Sequence, residues 1–157
     1  MRAMRRQDRK LEPADVREIL TKGDYGTLST VTPDGAPYGV PISYAYDEET
    51  NAVYMHCSVE GGQKIDNILA NPNACFTVVT DVETLPEKFS TRYRSVVLFG
   101  KVEIVEGVER KKFGLKLLAK KYSPAFEEKG LKYIDSAVDS VHVLKLSVVE
   151  AAGKGRQ

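Results

Sequence analysis

The residues best suited to chemistry lie in one stretch, Tyr54 to Pro72, which reads YMHCSVEGGQKIDNILANP. A strand-like run ends in the hydroxyl of Ser58, Gly61 and Gly62 follow, and Lys64 stands in the first turn of a helical pattern. Such a junction offers free backbone N–H groups, the positive end of a helix dipole and one mobile ammonium, a combination that suits an anion and phosphate above all. The same residues also fit a plain Gly-Gly turn beside a solvated lysine, and spacing alone leaves both readings open. Along AVYMHCS, alternation puts Tyr54, His56 and Ser58 on one face and Val53, Met55 and Cys57 on the other. His56 thus points the way of the hydroxyl. It is either a satisfied core histidine or an imidazole placed for proton transfer near neutral pH. Cys57 and Cys75 have no CxxC or Cys/His metal spacing, so no metal is expected and both read as reduced, buried thiols.

The elements that must position these residues are short. Pro13 opens a helix that carries Val16, Ile19 and Leu20 at helical spacing until Gly23, and this helix lids a sheet. Gly26 to Val31 and Tyr38 to Tyr46 form a hairpin around the turn Thr32-Pro33-Asp34-Gly35. Pro37 and Pro41 bar a regular interior ladder, so the second strand carries a bulge or leaves an edge unpaired near Pro41, where a ligand can lie. After a turn at Asp47 to Asn51, Ala52 to Ser58 is a strand that feeds a helix over Gln63 to Ala70, stopped by Asn71-Pro72. Ala74 to Thr80 and Ser95 to Val105 are strands four and five, with a bend at Gly100 and a polar loop between them. Val108 to Tyr122 is an amphipathic helix with a solvated lysine face, and Pro124 to Ser136 holds a further short helix. Ser140 to Val149 is the last strand, on which the lone His142 carries no companion.

Length and composition bound the rest. A chain of 157 residues with 42% apolar and 29% charged residues is one globular domain over 1–157, with 1–10 and 153–157 as loose tails. Lys and Arg total 23 against 22 Asp and Glu, which gives no overall field for nucleic acid or an anionic membrane. No apolar run approaches the ~18 to 20 residues of a spanning helix, and the chain reads as cytoplasmic. Six short strands joined by links too short for crossovers predict a closed antiparallel β-barrel rather than a doubly wound parallel sheet.

Three segments, YGTLSTVTPDGAPYGVPISYAYD, YMHCSVEGGQKIDNILANPNACFTVV and LPEKFSTRYRSVVLFGKVEIVE, in this order and spacing, resemble the pyridoxamine 5'-phosphate oxidase-related flavoproteins, in particular their nitroimidazole-resistance branch. The resemblance spans nearly the whole chain. It implies a mainly β chain with flanking helices, a six-stranded antiparallel split β-barrel, and a homodimer with FMN at the subunit interface. The activity it implies is flavin-dependent reduction of small acceptors such as nitro-aromatic, 5-nitroimidazole-like compounds. Within that pattern Ser58 and Lys64 match the FMN phosphate ligands, and Val40, Pro41, Ile42 and Ser43 match the strand bordering the flavin ring. Ser95 and Val96 match a polar contact and its neighbour, while His56 matches a strand histidine close to the flavin and is the candidate catalytic residue.

Arg92 and Tyr93, in the loop ahead of the fifth strand, could serve a substrate or a subunit interface. Gln63 stands where this branch often has a cation, for which Arg92 or Arg94 could compensate. Gly39 replaces an arginine of the true oxidases, whose C-terminal substrate arginines are also missing, so pyridoxamine phosphate oxidase activity is not expected. With no GxGxxG after a strand, a nicotinamide donor such as NAD(P)H would have to dock transiently. The alternative is a flavin, haem or deazaflavin carrier with little turnover.

Overall fold

The computed structural model describes residues 4–156, and the fold is mainly β with helices outside the sheet. A 3-10 turn at Gln7–Arg9 precedes α1 (Pro13–Lys22), then β1 (Gly26–Val31), β2 (Pro37–Ile42), β3 (Ala45–Asp47), β4 (Ala52–Ser58) and α2 (Gln63–Ala70). The second half runs β5 (Asn73–Leu85), β6 (Ser90–Ile104), α3 (Val108–Tyr122), α4 (Glu127–Ala137) and β7 (Val141–Arg156). All pairings are antiparallel, in the order β2-β1-β5-β6-β7-β4-β3.

The predicted count of six strands becomes seven because the segment read as one strand from Tyr38 to Tyr46 breaks at Ser43 and Tyr44. Its halves, β2 and β3, are the two edges of the sheet, so no hydrogen-bonded ladder closes the predicted barrel. The chain itself joins the edges, and this is the split. Among the described residues β2 pairs only with β1 and in regular register, so the prolines produce an unpaired edge rather than a bulge.

The inner face of the sheet carries Leu28, Val53, Met55, Phe76, Val78, Val96, Leu98, Leu144 and Leu146, all essentially inaccessible to solvent. Two helices plug this core. Ile19 and Leu20 enter it from α1, and Ile65 and Ile68 from α2, each buried side chain stabilising the fold by about 1.5–3 kcal/mol. On the outside, α3 and α4 cover Tyr54 and Val143 with Leu115, Leu118 and Ile134. Gly100 marks the predicted bend: the β6–β7 register shifts between Phe99 and Gly100, and a Cβ there would lie 2.0 Å from the Ser147 carbonyl oxygen.

Three expectations need correction. The polar loop between strands four and five is instead a hairpin, since β5 and β6 run on past a bulge between Thr80 and Glu83 to a 3-10 turn at Pro86–Lys88. Arg92 and Tyr93 therefore sit on β6, not on a loop. The tails are not loose either: 153–156 complete β7, Gly153 and Gly155 are buried, and Lys10 bridges to Lys154. Residues 1–3 and 157 lie outside the described residues.

Candidate functional site

The β3–β4 ladder pairs Ala45 with Tyr54 and stops. Continuing that register would put Ser43 opposite His56 and Pro41 opposite Ser58, yet there β2 pairs with β1 instead. The outer edge of β2 and the end of β4 thus flank an open seam without ladder bonds between them. Val40, Pro41, Ile42, Ser43, His56 and Ser58 all belong to its two margins. Val40 and Ile42 turn inward and pack on the core, whereas Pro41, Ser43, His56 and Ser58 are exposed.

The strand–turn–helix junction closes one end of this seam. Gly61 and Gly62 have φ of 84° and 124°, a region where a side chain is strained, and open space surrounds both. They let the chain reverse from β4 into α2 and leave the first-turn N–H groups of Gln63 and Lys64 without intrahelical partners. Ser58 Oγ accepts the Glu60 N–H at 3.2 Å, so its own hydroxyl hydrogen is available to donate. Lys64 is half-buried in the first turn of α2, and its charge opposes the rise that burial imposes on the Cys57 thiol of β4. Asn67 anchors the helix, donating from Nδ2 to Thr30 Oγ1 of β1 at 2.9 Å while its Oδ1 accepts from Gln63 Nε2 at 2.8 Å. Gln63 is thereby turned along the helix, away from the junction. The donor set of Ser58, Lys64 and free amides fits a phosphate.

His56 is exposed, so the core-histidine reading fails. Its β7 neighbour across the ladder is Val143, and partial burial holds its pKa below the ordinary value. At neutral pH the imidazole is therefore uncharged, with one N–H to donate and one nitrogen to accept. Both cysteines are free and only partly buried, short of the full burial expected. Among the described residues no His, Cys, Asp and Glu cluster could hold a metal ion.

The remaining candidates are not at the seam of the same protomer. Ser95, Val96, Arg92 and Tyr93 lie on β6, which β1 and β5 separate from β2. Val96 is fully buried in the core, and Ser95 donates to the Lys154 carbonyl at 3.2 Å. Arg92 pairs with Glu83 at 2.9 Å, and Arg94 is taken by Asp15 at 2.8 Å, Glu18 at 2.9 Å and Asp81 at 3.7 Å. Within one protomer both arginines are paired with carboxylates, and neither stands at the Gln63 junction.

Sequence reasoning missed Lys121, which it grouped with the solvated lysine face of α3, and Tyr122, to which it gave no role. Lys121 Nζ instead donates to the Gly23 carbonyl at 2.5 Å and lies 3.7 Å above the ring of the buried Tyr44. No local periodicity marks these two residues, because their partners are 78 and 98 positions away.

A sheet whose edges are two halves of one segment, with an anion-suited junction at the seam, defines a ligand-binding split barrel. The sequence pattern of the pyridoxamine 5'-phosphate oxidase family matches residues 12–155, and the chain belongs to that FMN-binding family. No curated protein matches it. Among solved structures it is similar to a proposed 5-nitroimidazole antibiotic resistance protein from Bacteroides thetaiotaomicron, with 25% identity, 92% of this chain and 84% of that one covered, and a TM-score of 0.75. The flavocytochrome Anf3 from Azotobacter vinelandii shares the fold at 22% identity, 99% and 72% coverage and a TM-score of 0.78. The FAD and heme binding protein from Mycobacterium smegmatis does so at 21% identity, 93% and 72% coverage and a TM-score of 0.74. No helix among the described residues is long and apolar enough to cross a membrane.

Proposed function

We propose that the chain is a cytoplasmic FMN-dependent oxidoreductase that works as a homodimer and reduces small acceptors, nitro-aromatic compounds of the 5-nitroimidazole kind among them, with a diffusible donor such as NAD(P)H. The observation that carries this reading is the seam: phosphate donors at one end and an exposed, neutral histidine on the same unpaired margin. FMN, when bound, supplies the two-electron chemistry, and the protein supplies placement and hydrogen bonds. Lys64, Ser58 and the first amides of α2 would hold the phosphate, and the free edge from Val40 to Ser43 would border the ring. His56 would hold a proton as an N–H directed at the acceptor.

The homodimer is supported by what one protomer leaves uncovered. Ser43, His56 and Ser58 are open to solvent, and Val79, Val82 and Phe89 of the β5–β6 hairpin are 50%, 63% and 99% exposed. Water exclusion at the seam calls for a second subunit, and Ser95, Arg92 and Tyr93 could reach a seam only from such a neighbour.

Purified protein is expected to take up one FMN per chain and to sediment as a dimer. His56→Ala should lower nitro-aromatic turnover by about 10²-fold, the lower range for a positioned proton donor, while FMN affinity and melting temperature stay near the parent's. Unchanged turnover would remove His56 from the reaction. Stoichiometric haem uptake without FMN uptake would favour a haem carrier, the second reading that the fold shared with haem binders supports.

A further inference from the structure

The break at Ser43 and Tyr44 is built, not merely left over. Tyr44 is fully buried, its ring set edge-on to Phe76 with centroids 5.0 Å apart, and its backbone belongs to neither half-strand. A buried N–H and C=O left unpaired would each carry a desolvation cost, which is a strong pull towards closing the ladder. Tyr122 removes that pull. Its hydroxyl accepts the Tyr44 N–H at 2.9 Å, lies 3.0 Å from the Tyr44 carbonyl and also reaches the Asp24 carbonyl. One phenol has one hydrogen, so the two carbonyls share it. Lys121 completes the junction from the next position, donating to Gly23 and stacking 3.7 Å from the Tyr44 ring centroid and 5.3 Å from that of Tyr122. The α1–β1 link, the β2–β3 break and the end of α3 thus meet at one knot.

The alternative arrangement is specific. If Tyr44 were released, Ser43 and Ile42 could continue the β3–β4 register and pair with His56 and Cys57, closing the seam from its Ala45–Tyr54 end. We infer that Lys121 and Tyr122 are positioning residues, a latch from α3 that holds the β2–β3 break and keeps the seam open for the flavin. The inference rests on the FMN reading of the seam. Neither residue belongs to the donor set proposed for FMN: Tyr122 acts through the backbone of Tyr44, and Lys121 through the Tyr44 ring and the Gly23 carbonyl.

The test pairs two readouts on Tyr122→Phe and Lys121→Met, with Lys121→Arg as the conservative control. Hydrogen exchange of the Tyr44 amide, followed by NMR without FMN, should accelerate at least about tenfold in Tyr122→Phe, since the acceptor oxygen is gone. FMN titration should show affinity weakened about tenfold in Tyr122→Phe and Lys121→Met and retained in Lys121→Arg, which keeps a cation and a donor. Should Tyr122→Phe fail to fold, the lysine pair carries the comparison alone. Unchanged Tyr44 exchange together with unchanged FMN affinity would overturn the latch. If the parent binds no FMN, the flavin reading of the seam fails, whereas Tyr44 exchange still decides whether the knot holds the break.

Discussion

The wall of β5, β6 and β7 and the seam between β2 and β4 belong to one sheet, yet they treat backbone hydrogen bonds in opposite ways. In the wall, ladders run almost without interruption from Tyr93 to Ile104 against β7 and from Asn73 to Leu85 against β6, with one adjustment in each. Phe76, Val78, Val96, Leu98, Leu144 and Leu146 of these strands all meet in the core, so pairing and packing reinforce each other. At the seam the ladder stops after three pairs, prolines occupy the edge, and the Tyr122 hydroxyl from outside the sheet satisfies the backbone of the break. Stability is concentrated in the wall, and the capacity to bind is left at the seam.

The sharpest way to break this contrast is to damage the wall. In Gly100→Ala the new Cβ would stand 2.0 Å from the Ser147 carbonyl oxygen and 2.9 Å from its carbon. Those are backbone atoms of a central strand, with no side chain to swing aside. The expected loss is about 3 kcal/mol or more, at the upper end of overpacking costs. Thermal unfolding would show it, or a failure to obtain soluble protein. A melting temperature within a few degrees of the parent's would mean the bulge is softer than its contacts indicate.

The second change strikes the seam and should leave the wall intact. Lys64→Ala removes a charged donor at the α2 junction, and FMN binding should weaken by about 1.5–3 kcal/mol. Ser58→Ala should cost less, because a neutral hydroxyl is one donor among several. In the absence of FMN the melting temperature should hardly move for either variant, since neither side chain belongs to the core. FMN affinity in Lys64→Ala equal to the parent's would reduce the Gly61-Gly62 junction to a turn.

The same contrast explains what could be read from the residues. Strands of the wall and helices α1, α2 and α3 were legible, because local alternation, helical spacing and stop residues such as Asn71-Pro72 act over a few positions. The margins of the site were legible for the same reason: His56 and Ser58 alternate on one strand, and Lys64 follows two glycines. The β2–β3 break was not, because YGVPISYAY is a continuous β pattern whose interruption depends on Tyr122, far along the chain. The β5–β6 hairpin was hidden by its polar, solvent-facing sequence, which reads as loop although its backbone is paired. The final strand outran its alternation into AAGKGR, where buried Gly153 and Gly155 leave room for Leu11 rather than supply an apolar signal.

The smallest effect concerns Lys121 and separates it from every other lysine of α3. Burial lowers its pKa from 10.5 to about 8, with Asp24 partly opposing the shift. In the unfolded chain the ammonium returns to its ordinary value, so between about pH 8 and 10.5 the unfolded state binds more protons than the folded one. Stability contributed by this residue therefore rises with pH across that window and is lost as pH falls through 8. Lys121→Met lacks the titration. The stability difference, parent minus Lys121→Met, should grow by about 1 kcal/mol between pH 7.5 and 9.5, allowing for screening of a half-buried group. Taking the difference cancels the thiols of Cys57 and Cys75, which burial pushes up and which titrate alike in both proteins. Stopping at pH 9.5 also keeps the Tyr44 phenol protonated, since burial holds it above the ordinary tyrosine range. Denaturant midpoints at four or five pH values suffice. A flat difference would put the Lys121 ammonium in water with the rest of the basic face, leaving Tyr122 alone to hold the break.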